Sequence, residues 1–280
     1  MKPHIAKSQN GSPLFDPIFI CSQPRSGSTL VQRLINSTQK AVIYGEHLGL
    51  LKGVADSYHN FCQNEQYGEF CTSKVDPQFH SRTLKLLINP KLFPALVNGL
   101  SVEGVRRAHR IFVEKFVNSC KCRQRWGFKE VRYCDGRDFV MPFLLSLYPN
   151  AQFVFTVRNP IQAVSSVLHC KWWNRTPEQA AQFWLDQATC MSQYSRKFPD
   201  NCMLVRYEDV ISNDGKAVRE LFAWLKLPYL KRQSMILFHM EKTGATPPAK
   251  GLSKTLATDI ARWCSLPEAL QLYPDPLRGD

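Results

Sequence analysis

A seven-residue segment, Gln23 to Thr29 (QPRSGST), constrains the fold of this 280-residue chain more than any other feature. An apolar run of strand-forming residues, 17–22, precedes it, and residues with helical periodicity follow it. A buried strand, a turn with glycine and a helix start form an anion-binding arrangement, because backbone N–H groups and the helix dipole point at the ligand. We therefore expect an anion to contact N–H groups, and in part hydroxyls, of five residues: Ser26, Gly27, Ser28, Thr29 and Leu30.

The basic residue of this segment, Arg25, lies before the glycine. The common loop for nucleoside triphosphates, G-x-x-x-x-G-K-[ST], has a first glycine that is missing here and a lysine that does not follow Gly27. Without that lysine the segment is poorly suited to β- and γ-phosphates with magnesium. The forked guanidinium of Arg25 suits a single phosphosulfate instead. The competing interpretation is an ordinary strand-to-helix turn with a serine cap.

Strands alternate with helices along most of the sequence. Apolar, β-rich runs predict strands at 17–22, 41–44, 126–131, 151–157 and 202–206. Helical periodicity predicts helices that begin near residue 28 and that span 46–58, 138–148, 177–198 and 214–225. This order indicates an α/β fold with a central parallel sheet flanked by helices, in which ligands bind at the carboxyl ends of strands. The remaining divisions are a flexible lead-in, 1–15, and one domain, 16–280, with a helical insertion, 60–122.

A second candidate anion site begins at Arg158, directly after the most apolar predicted strand. Asn159 is a good helix N-cap and Pro160 suits the first helical position, so a helix follows at once. Ser166 lies two turns into that helix, and Arg158 and Ser166 reach one phosphate if the arginine folds across. Ser165 satisfies the spacing nearly as well. An arginine at a strand end is also often a structural ion-pair partner.

These segments resemble the PAPS-dependent sulfotransferase family, where PAPS is 3′-phosphoadenosine-5′-phosphosulfate. The run QPRSGSTLVQRLINS is similar to the family's 5′-phosphosulfate loop, and residues 158–166 are similar to its 3′-phosphate site. The likeness extends over about 17–59 and 124–260. It implies a P-loop-NTPase-like sulfotransferase fold, PAPS as co-substrate without a metal ion, and Tyr207 near the adenosine.

The same resemblance implies catalytic residues. Lys129 corresponds to a family lysine that approaches the bridging oxygen of the sulfuryl donor. Many cytosolic members have a histidine base two residues later, where this chain has Val131. The closest motif pattern is the tyrosylprotein sulfotransferase branch, whose base is a glutamate in a Gly-Glu pair. Glu46 matches that glutamate, follows Arg25 by 21 residues, and is expected to begin a helix; His47 and Glu130 are the reserve candidates.

The segment 243–258 near the C-terminus is a possible lid over the sulfuryl donor. Residues 250–254 (KGLSK) resemble the donor-covering loop of the tyrosylprotein branch. This resemblance implies that Ser253 helps to hold the transferring group and that Lys254 contacts the sulfuryl donor. A surface loop without function is the alternative, because stretches rich in glycine, proline and lysine are common near chain ends.

Composition limits the partners. The net charge of +13 favours a polyanionic ligand, but the basic residues are scattered without finger spacing or a basic tail, which argues against nucleic acid. No apolar run approaches 18 residues, and the N-terminus lacks a signal-peptide pattern, so we expect a cytoplasmic enzyme without a membrane anchor. Its acceptor is then more plausibly a small molecule, at a hydroxyl or amine, than a peptide tyrosine. A kinase remains an alternative, and no feature indicates an oligomeric state.

Overall fold

The computed structural model describes residues 16–63, 102–118, 124–134, 140–170, 174–212, 214–242, 253–265, 267 and 272–273. The predicted lead-in, 1–15, lies outside these residues. So do 64–101 and 119–122 of the predicted insertion and 243–252 of the predicted lid. The parts of the insertion that are described, 60–63 and 102–118, are helical.

The sheet has five strands: β1 (Ile18–Ser22), β2 (Ala41–Tyr44), β3 (Arg125–Glu130), β4 (Gln152–Val157) and β5 (Cys202–Arg206). All four strand pairs are parallel and the order is β2-β3-β1-β4-β5. The predicted α/β fold with a central parallel sheet is therefore confirmed, and each predicted strand is present within one residue at either end.

The position of each strand in the sheet follows from its sequence. The central strands β1 and β4 are apolar along nearly their whole length, as expected for strands buried on both faces. The edge strands β2 and β5 are buried only in part. Gly127 in β3 has no room for a side chain, because a Cβ atom there would lie 1.6 Å from the carbonyl oxygen of Ile18 in β1.

The described residues form ten helices: α1 (Ser28–Asn36), α2 (Leu50–Gln63), α3 (Val102–Asn118), α4 (Val140–Leu147), α5 (Pro160–Leu168), α6 (Pro177–Lys197), α7 (Tyr207–Ile211), α8 (Lys216–Leu225), α9 (Lys231–Lys242) and α10 (Lys254–Trp263). None of these helices is both long and apolar enough to cross a bilayer. The described chain divides into two compact units, one with α2, α3 and α4, and one with the sheet and the other helices.

Apolar side chains cover both faces of the sheet in the larger unit. On one face Ile18 and Ile20 belong to a buried cluster with the inward residues of α1 and α8, among them Leu34 and Phe222. On the other face the Phe19 ring stacks on Phe153, with centroids 5.3 Å apart, and meets Trp126 edge-on at 5.9 Å. Burial of this apolar surface is the main stabilising contribution to the unit.

Two predicted boundaries are wrong. The helix expected at 46–58 begins only at Leu50, because Leu48 and Gly49 have positive φ angles, 56° and 78°, that a right-handed helix excludes. Glu46 therefore lies in an irregular turn. At the other end of the chain, residues 254–258 of the predicted lid belong to α10, whose start is capped by the Ser253 hydroxyl accepting from the N–H of Leu256.

Candidate active site

Most of the predicted site residues lie along the edge of the sheet where the strands have their carboxyl ends, because these ends coincide in a parallel sheet. They follow the strand order across the sheet: Glu46 after β2, Lys129 near the end of β3, the Gln23–Thr29 segment after β1, Arg158 after β4 and Tyr207 after β5. Residues that are far apart in sequence are thus brought close together, because their strands are adjacent in the sheet. We call the Gln23–Thr29 segment the anion loop.

The anion loop packs directly on Tyr207. Gly27 has a φ of 81°, and a Cβ atom there would lie 2.1 Å from Cδ2 of the Tyr207 ring. Only glycine satisfies both the left-handed backbone and this close approach. Arg25 also has a positive φ, 64°, which is uncommon for a residue with a side chain and is often found at ligand sites.

Hydrogen bonds inside the loop reduce the number of groups left for an anion. The Ser26 hydroxyl lies 2.7 Å from the Gln23 carbonyl and 2.9 Å from the hydroxyl of Thr156, and Ser26 is buried. Its N–H also donates to Gln23, and the N–H of Leu30 donates to Gly27. Of the five N–H groups expected to contact an anion, two are therefore used inside the loop. Among the described residues, the N–H groups of Gly27, Ser28 and Thr29 have no hydrogen-bond partner.

Arg158 is buried beside the loop and is held by neutral groups. Its guanidinium donates to Gln162 Oε1 at 3.0 Å and to the carbonyl of Arg25 at 3.2 Å, and it lies 4.9 Å from the centre of the Tyr207 ring. Burial lowers the pKa of Arg158 from its ordinary value, but an arginine remains charged at any physiological pH. The described residues supply no carboxylate within salt-bridge distance of Arg158.

Ser166 contacts the loop arginine and not Arg158. Nε of Arg25 donates to the Ser166 hydroxyl at 2.9 Å. Ser165, the alternative left open by spacing, is buried with 3% of its surface exposed. Helix α5 therefore directs Ser166 to the loop, and the prediction that Arg158 and Ser166 bind one phosphate stays a prediction.

On the other side of the loop, the Glu46 carboxylate is held by two cations. Nζ of Lys129 lies 2.6 Å from Oε1, and Nη1 of Arg132 lies 3.2 Å from Oε2. Burial alone would raise the pKa of Glu46, but the hydrogen bonds and charges of Lys129 and Arg132 outweigh it and lower this pKa below the ordinary value. Glu46 is ionised at neutral pH.

The two reserve candidates for a base point into the protein. The Glu130 side chain is fully buried, and its oxygens accept from the N–H groups of Gly49 and Val131. The His47 side chain is 7% exposed, with Nε2 at 2.6 Å from the Tyr133 hydroxyl and Nδ1 at 3.5 Å from Glu130. Burial lowers the pKa of His47 despite the charge of Glu130. Glu46, with 33% of its side chain exposed, is the most accessible of the three.

The predicted residues of the C-terminal segment lie at the start of α10. Ser253 is the N-cap and Lys254 the first helical residue, and both are exposed. Helix α10 packs on α5 and α6, so it contacts the helix that carries Ser166. No contact joins the side chains of Ser253 and Lys254 to the anion loop in the described part of the chain.

Four site residues were not identified from the sequence: Thr156, Gln162, Trp184 and Arg132. The first three support the loop and Arg158, since the Trp184 carbonyl accepts from Gln23 and its indole N–H donates to the Arg158 carbonyl. Two of the four could have been found from the sequence. Thr156 is a polar residue in an apolar strand, and Arg132 follows Lys129 by three residues. Within the described ranges, no group of three or more His, Cys, Asp or Glu residues is arranged to hold a metal ion.

The chain matches a family model and several solved structures. The model described as sulfotransferase family matches residues 17–231. A sulfotransferase domain from the olefin synthase of Synechococcus PCC 7002 has a TM-score of 0.54 and 17% identity, with 96% of this chain and 97% of that chain covered. A sulfotransferase domain from the curacin biosynthetic pathway has a TM-score of 0.51 and 16% identity, with 89% and 98% covered.

A sulfotransferase from Mycobacterium avium has a TM-score of 0.51 and 11% identity, with 96% of this chain and 79% of that chain covered. No curated protein matches the chain. At these identities the structural likeness concerns the fold, and the family assignment comes from the match over 17–231.

Proposed function

The chain belongs to the sulfotransferase family, and from this premise we propose that it transfers a sulfuryl group from PAPS to a hydroxyl or amine of a small-molecule acceptor. The observation that carries the proposal is a pair of arginines, Arg25 and Arg158, that flank the anion loop with no carboxylate partner among the described residues. Two arginines that form no salt bridge match a ligand with two separate anionic groups, as PAPS has.

The anion loop would hold the 5′-phosphosulfate. Arg25 and the unpartnered N–H groups of Gly27, Ser28 and Thr29 supply positive charge and hydrogen bonds for it. Ser26 and Leu30 contribute through the shape of the loop, since their N–H groups are used within it. Gly27 lets a backbone that carries these donors lie flat against Tyr207.

Arg158 would hold the 3′-phosphate. Its partners, Gln162 and the Arg25 carbonyl, are neutral, so they fix the guanidinium without cancelling its charge. Ser166, whose hydroxyl accepts from Nε of Arg25, is proposed to add a hydroxyl to the same phosphate. Tyr207, beneath Arg158, is proposed to border the adenosine, and Lys254 to contact the sulfuryl donor from α10.

The proposed reaction is a direct displacement at sulfur. PAPS supplies the sulfuryl group. Glu46 takes the proton from the acceptor O–H or N–H, the acceptor atom forms a bond to sulfur, and the bond from sulfur to the bridging oxygen breaks. The electron pair of that bond stays with the 5′-phosphate of the product PAP (3′-phosphoadenosine-5′-phosphate). Arg25 and Lys129 stabilise the charge that develops there, and Ser253 is proposed to hold the transferring group.

A small organic acceptor is the proposed substrate class. The structures with a similar fold include domains from the curacin biosynthetic pathway and from an olefin synthase, which supports this class by analogy. The alternative acceptor is a peptide tyrosine, which the Gly45-Glu46 pair suggests by its motif. Both acceptors use the same base and the same sulfuryl donor.

Mass spectrometry of an acceptor library incubated with PAPS tests the proposal. The library contains phenols, alcohols, amines and tyrosine peptides, and Glu46→Gln is run beside the wild type. We expect an acceptor to gain the mass of one SO3 group in the wild type and about 10²–10⁴-fold less product in the variant. A parallel incubation contains ATP in place of PAPS. If no acceptor is sulfated with PAPS while ATP is consumed in the parallel incubation, the proposal of sulfuryl transfer is wrong.

A further inference from the structure

Both oxygens of the Glu46 carboxylate accept a hydrogen bond from a cation. Oε1 accepts from Lys129 at 2.6 Å and Oε2 accepts from Arg132 at 3.2 Å. A base must present an open lone pair to the proton that it removes. Each Glu46 oxygen keeps a second lone pair, but two cations on the carboxylate weaken it as a base, and the departure of one of them would strengthen it.

The two cations are held differently. Nη1 of Arg132 also bonds to Glu130, a fully buried carboxylate that is itself fixed by the N–H groups of Gly49 and Val131. Lys129 has no second side-chain partner in the described part of the chain. Breaking the Arg132 contact would leave a buried carboxylate without its cation, whereas Lys129 can leave Glu46 without such a cost.

Lys129 is also next to the proposed position of the sulfuryl donor. Its Cα pairs with Ile20 in β1, two residues before the end of the strand that leads into the anion loop. The Lys129 side chain is 10% exposed, so its ammonium group is confined to the neighbourhood of this edge. An anion bound to the loop would compete with Glu46 for the same ammonium group.

We propose that Lys129 changes partner when the sulfuryl donor binds, from Oε1 of Glu46 to the phosphosulfate, and that Arg132 is the positioning residue that keeps Glu46 in place during the exchange. This inference rests on the proposed function of the same site. The exchange frees Oε1 from its cation only when the sulfuryl donor is present, so the base is strengthened at the moment when the lysine is placed to assist the leaving group.

The charged groups around Glu46 give the sign of the effect. Lys129 and Arg132 face the carboxylate and lower its pKa; Glu130 and His47 lie behind them. When Lys129 leaves, Glu46 loses one of two cations and its pKa rises toward the ordinary value. Binding of an anion at the loop should therefore be accompanied by proton uptake at Glu46 in mildly acidic solution.

Calorimetric titration with PAP measures this uptake without turnover. The titration is run at about pH 5 in buffers of different ionisation enthalpy, which gives the number of protons bound per PAP. Because PAP itself titrates, the informative quantity is the difference between wild type and Glu46→Gln. We expect the wild type to take up more protons than Glu46→Gln, and Arg132→Gln to take up more than the wild type.

The pH profile of kcat/KM for the acceptor, at saturating PAPS, tests Arg132 separately. Loss of the Arg132 charge should move the acid limb upward by about one pH unit, and the rate at high pH should also fall because Glu46 is held less firmly. Arg132→Lys keeps a positive charge, so its acid limb should lie close to that of the wild type. Arg33→Gln, which removes an exposed arginine of α1, is the matched control and should leave the limb unchanged. A structural role alone would lower the rate equally at every pH.

The outcomes separate this inference from the proposed function. If Glu46→Gln keeps near-normal turnover, the base assignment fails and the exchange fails with it. If Glu46→Gln is inactive but takes up as many protons on PAP binding as the wild type, the exchange is wrong and the base assignment stands. If Arg132→Gln lowers the rate without moving the acid limb, Arg132 is not a positioning residue for Glu46.

Discussion

Along the carboxyl edge of the sheet, the cations of the two halves have different partners. On the β4–β5 side, Arg158 is held by an amide oxygen, a carbonyl and an aromatic ring, all neutral. On the β2–β3 side, Lys129 and Arg132 are paired with carboxylates, those of Glu46 and Glu130. Both halves are built at strand ends and both are partly buried, so position in the fold does not explain the difference.

The difference indicates two kinds of chemistry. A guanidinium with neutral partners keeps its charge available, and it will bind an anion without giving up an ion pair. The two cations and two carboxylates of the β2–β3 side cancel in net charge, so this half gains little by binding an anion alone. It is suited to exchange of partners and of protons. Variants should therefore separate turnover from PAP affinity.

The largest expected effect is on turnover, from Glu46→Gln. Removing the proposed base should lower kcat by about 10²–10⁴-fold, while the affinity for PAP stays near wild type or increases because Lys129 is released. Steady-state kinetics and calorimetry measure the two quantities. Glu220→Gln, an exposed residue of α8 with the same change of charge, is the control. If Glu46→Gln weakened PAP binding and left kcat unchanged, the proposed difference between the β2–β3 side and the β4–β5 side would be wrong.

The next effect is on affinity, from Arg158→Met. Losing a charged hydrogen-bond donor should weaken PAP binding by about 10–100-fold, with kcat near wild type once PAPS saturates. Adenosine 5′-phosphate lacks the 3′-phosphate, so its affinity should change much less. Arg232→Met removes an exposed arginine of α9 for comparison. Equal losses for PAP and adenosine 5′-phosphate would mean that Arg158 does not read the 3′-phosphate.

Gly27→Ala tests the close packing of the anion loop on the Tyr207 ring. The new Cβ atom would overlap the ring at 2.1 Å, so we expect a loss of about 1–3 kcal/mol in the free energy of unfolding. Gly215→Ala is a close control, because Gly215 is also a helix N-cap with positive φ but its Cβ atom would meet nothing nearer than 3.4 Å. Chemical denaturation measures both, and equal losses would assign the effect to backbone strain alone.

The smallest effect is expected from Gln162→Leu. Gln162 orients Arg158 through its amide oxygen without carrying charge. Its loss should weaken PAP binding several-fold, less than the loss of Arg158 itself, and should leave kcat unchanged. Gln162→Glu sharpens the comparison, because it pairs Arg158 with a carboxylate as on the other side of the sheet. That variant should bind PAP more weakly than Gln162→Leu does.

The sequence predicted what depends on local pattern. Continuous apolar runs gave β1 and β4, and Asn159-Pro160 indicated the start of α5, which is capped as expected by the Asn159 side chain. The anion loop and its neighbours at the strand ends followed from the α/β order and from the family resemblance. Cys21 in β1 and Cys202 in β5 lie in apolar strands and are buried free thiols.

Other features depend on contacts between distant segments. Nothing local indicates that Leu48 and Gly49 adopt positive φ and delay α2, or that Ser166 turns to Arg25 and not to Arg158. The role of Arg132 requires the ends of β2 and β3 to meet, since it joins the segment after β2 to a carboxylate buried in β3. Side-chain partners of this kind are decided by the tertiary packing of the sheet.

Stoichiometry of sulfate transfer tests the central claim most directly. The enzyme is incubated with PAPS carrying labelled sulfate and with the acceptor identified from the library, and both PAP and the sulfated acceptor are quantified over time. The account predicts equal amounts of the two products without ATP, and little of either with Glu46→Gln. Release of PAP without a labelled acceptor, or an equal yield from Glu46→Gln, would contradict it.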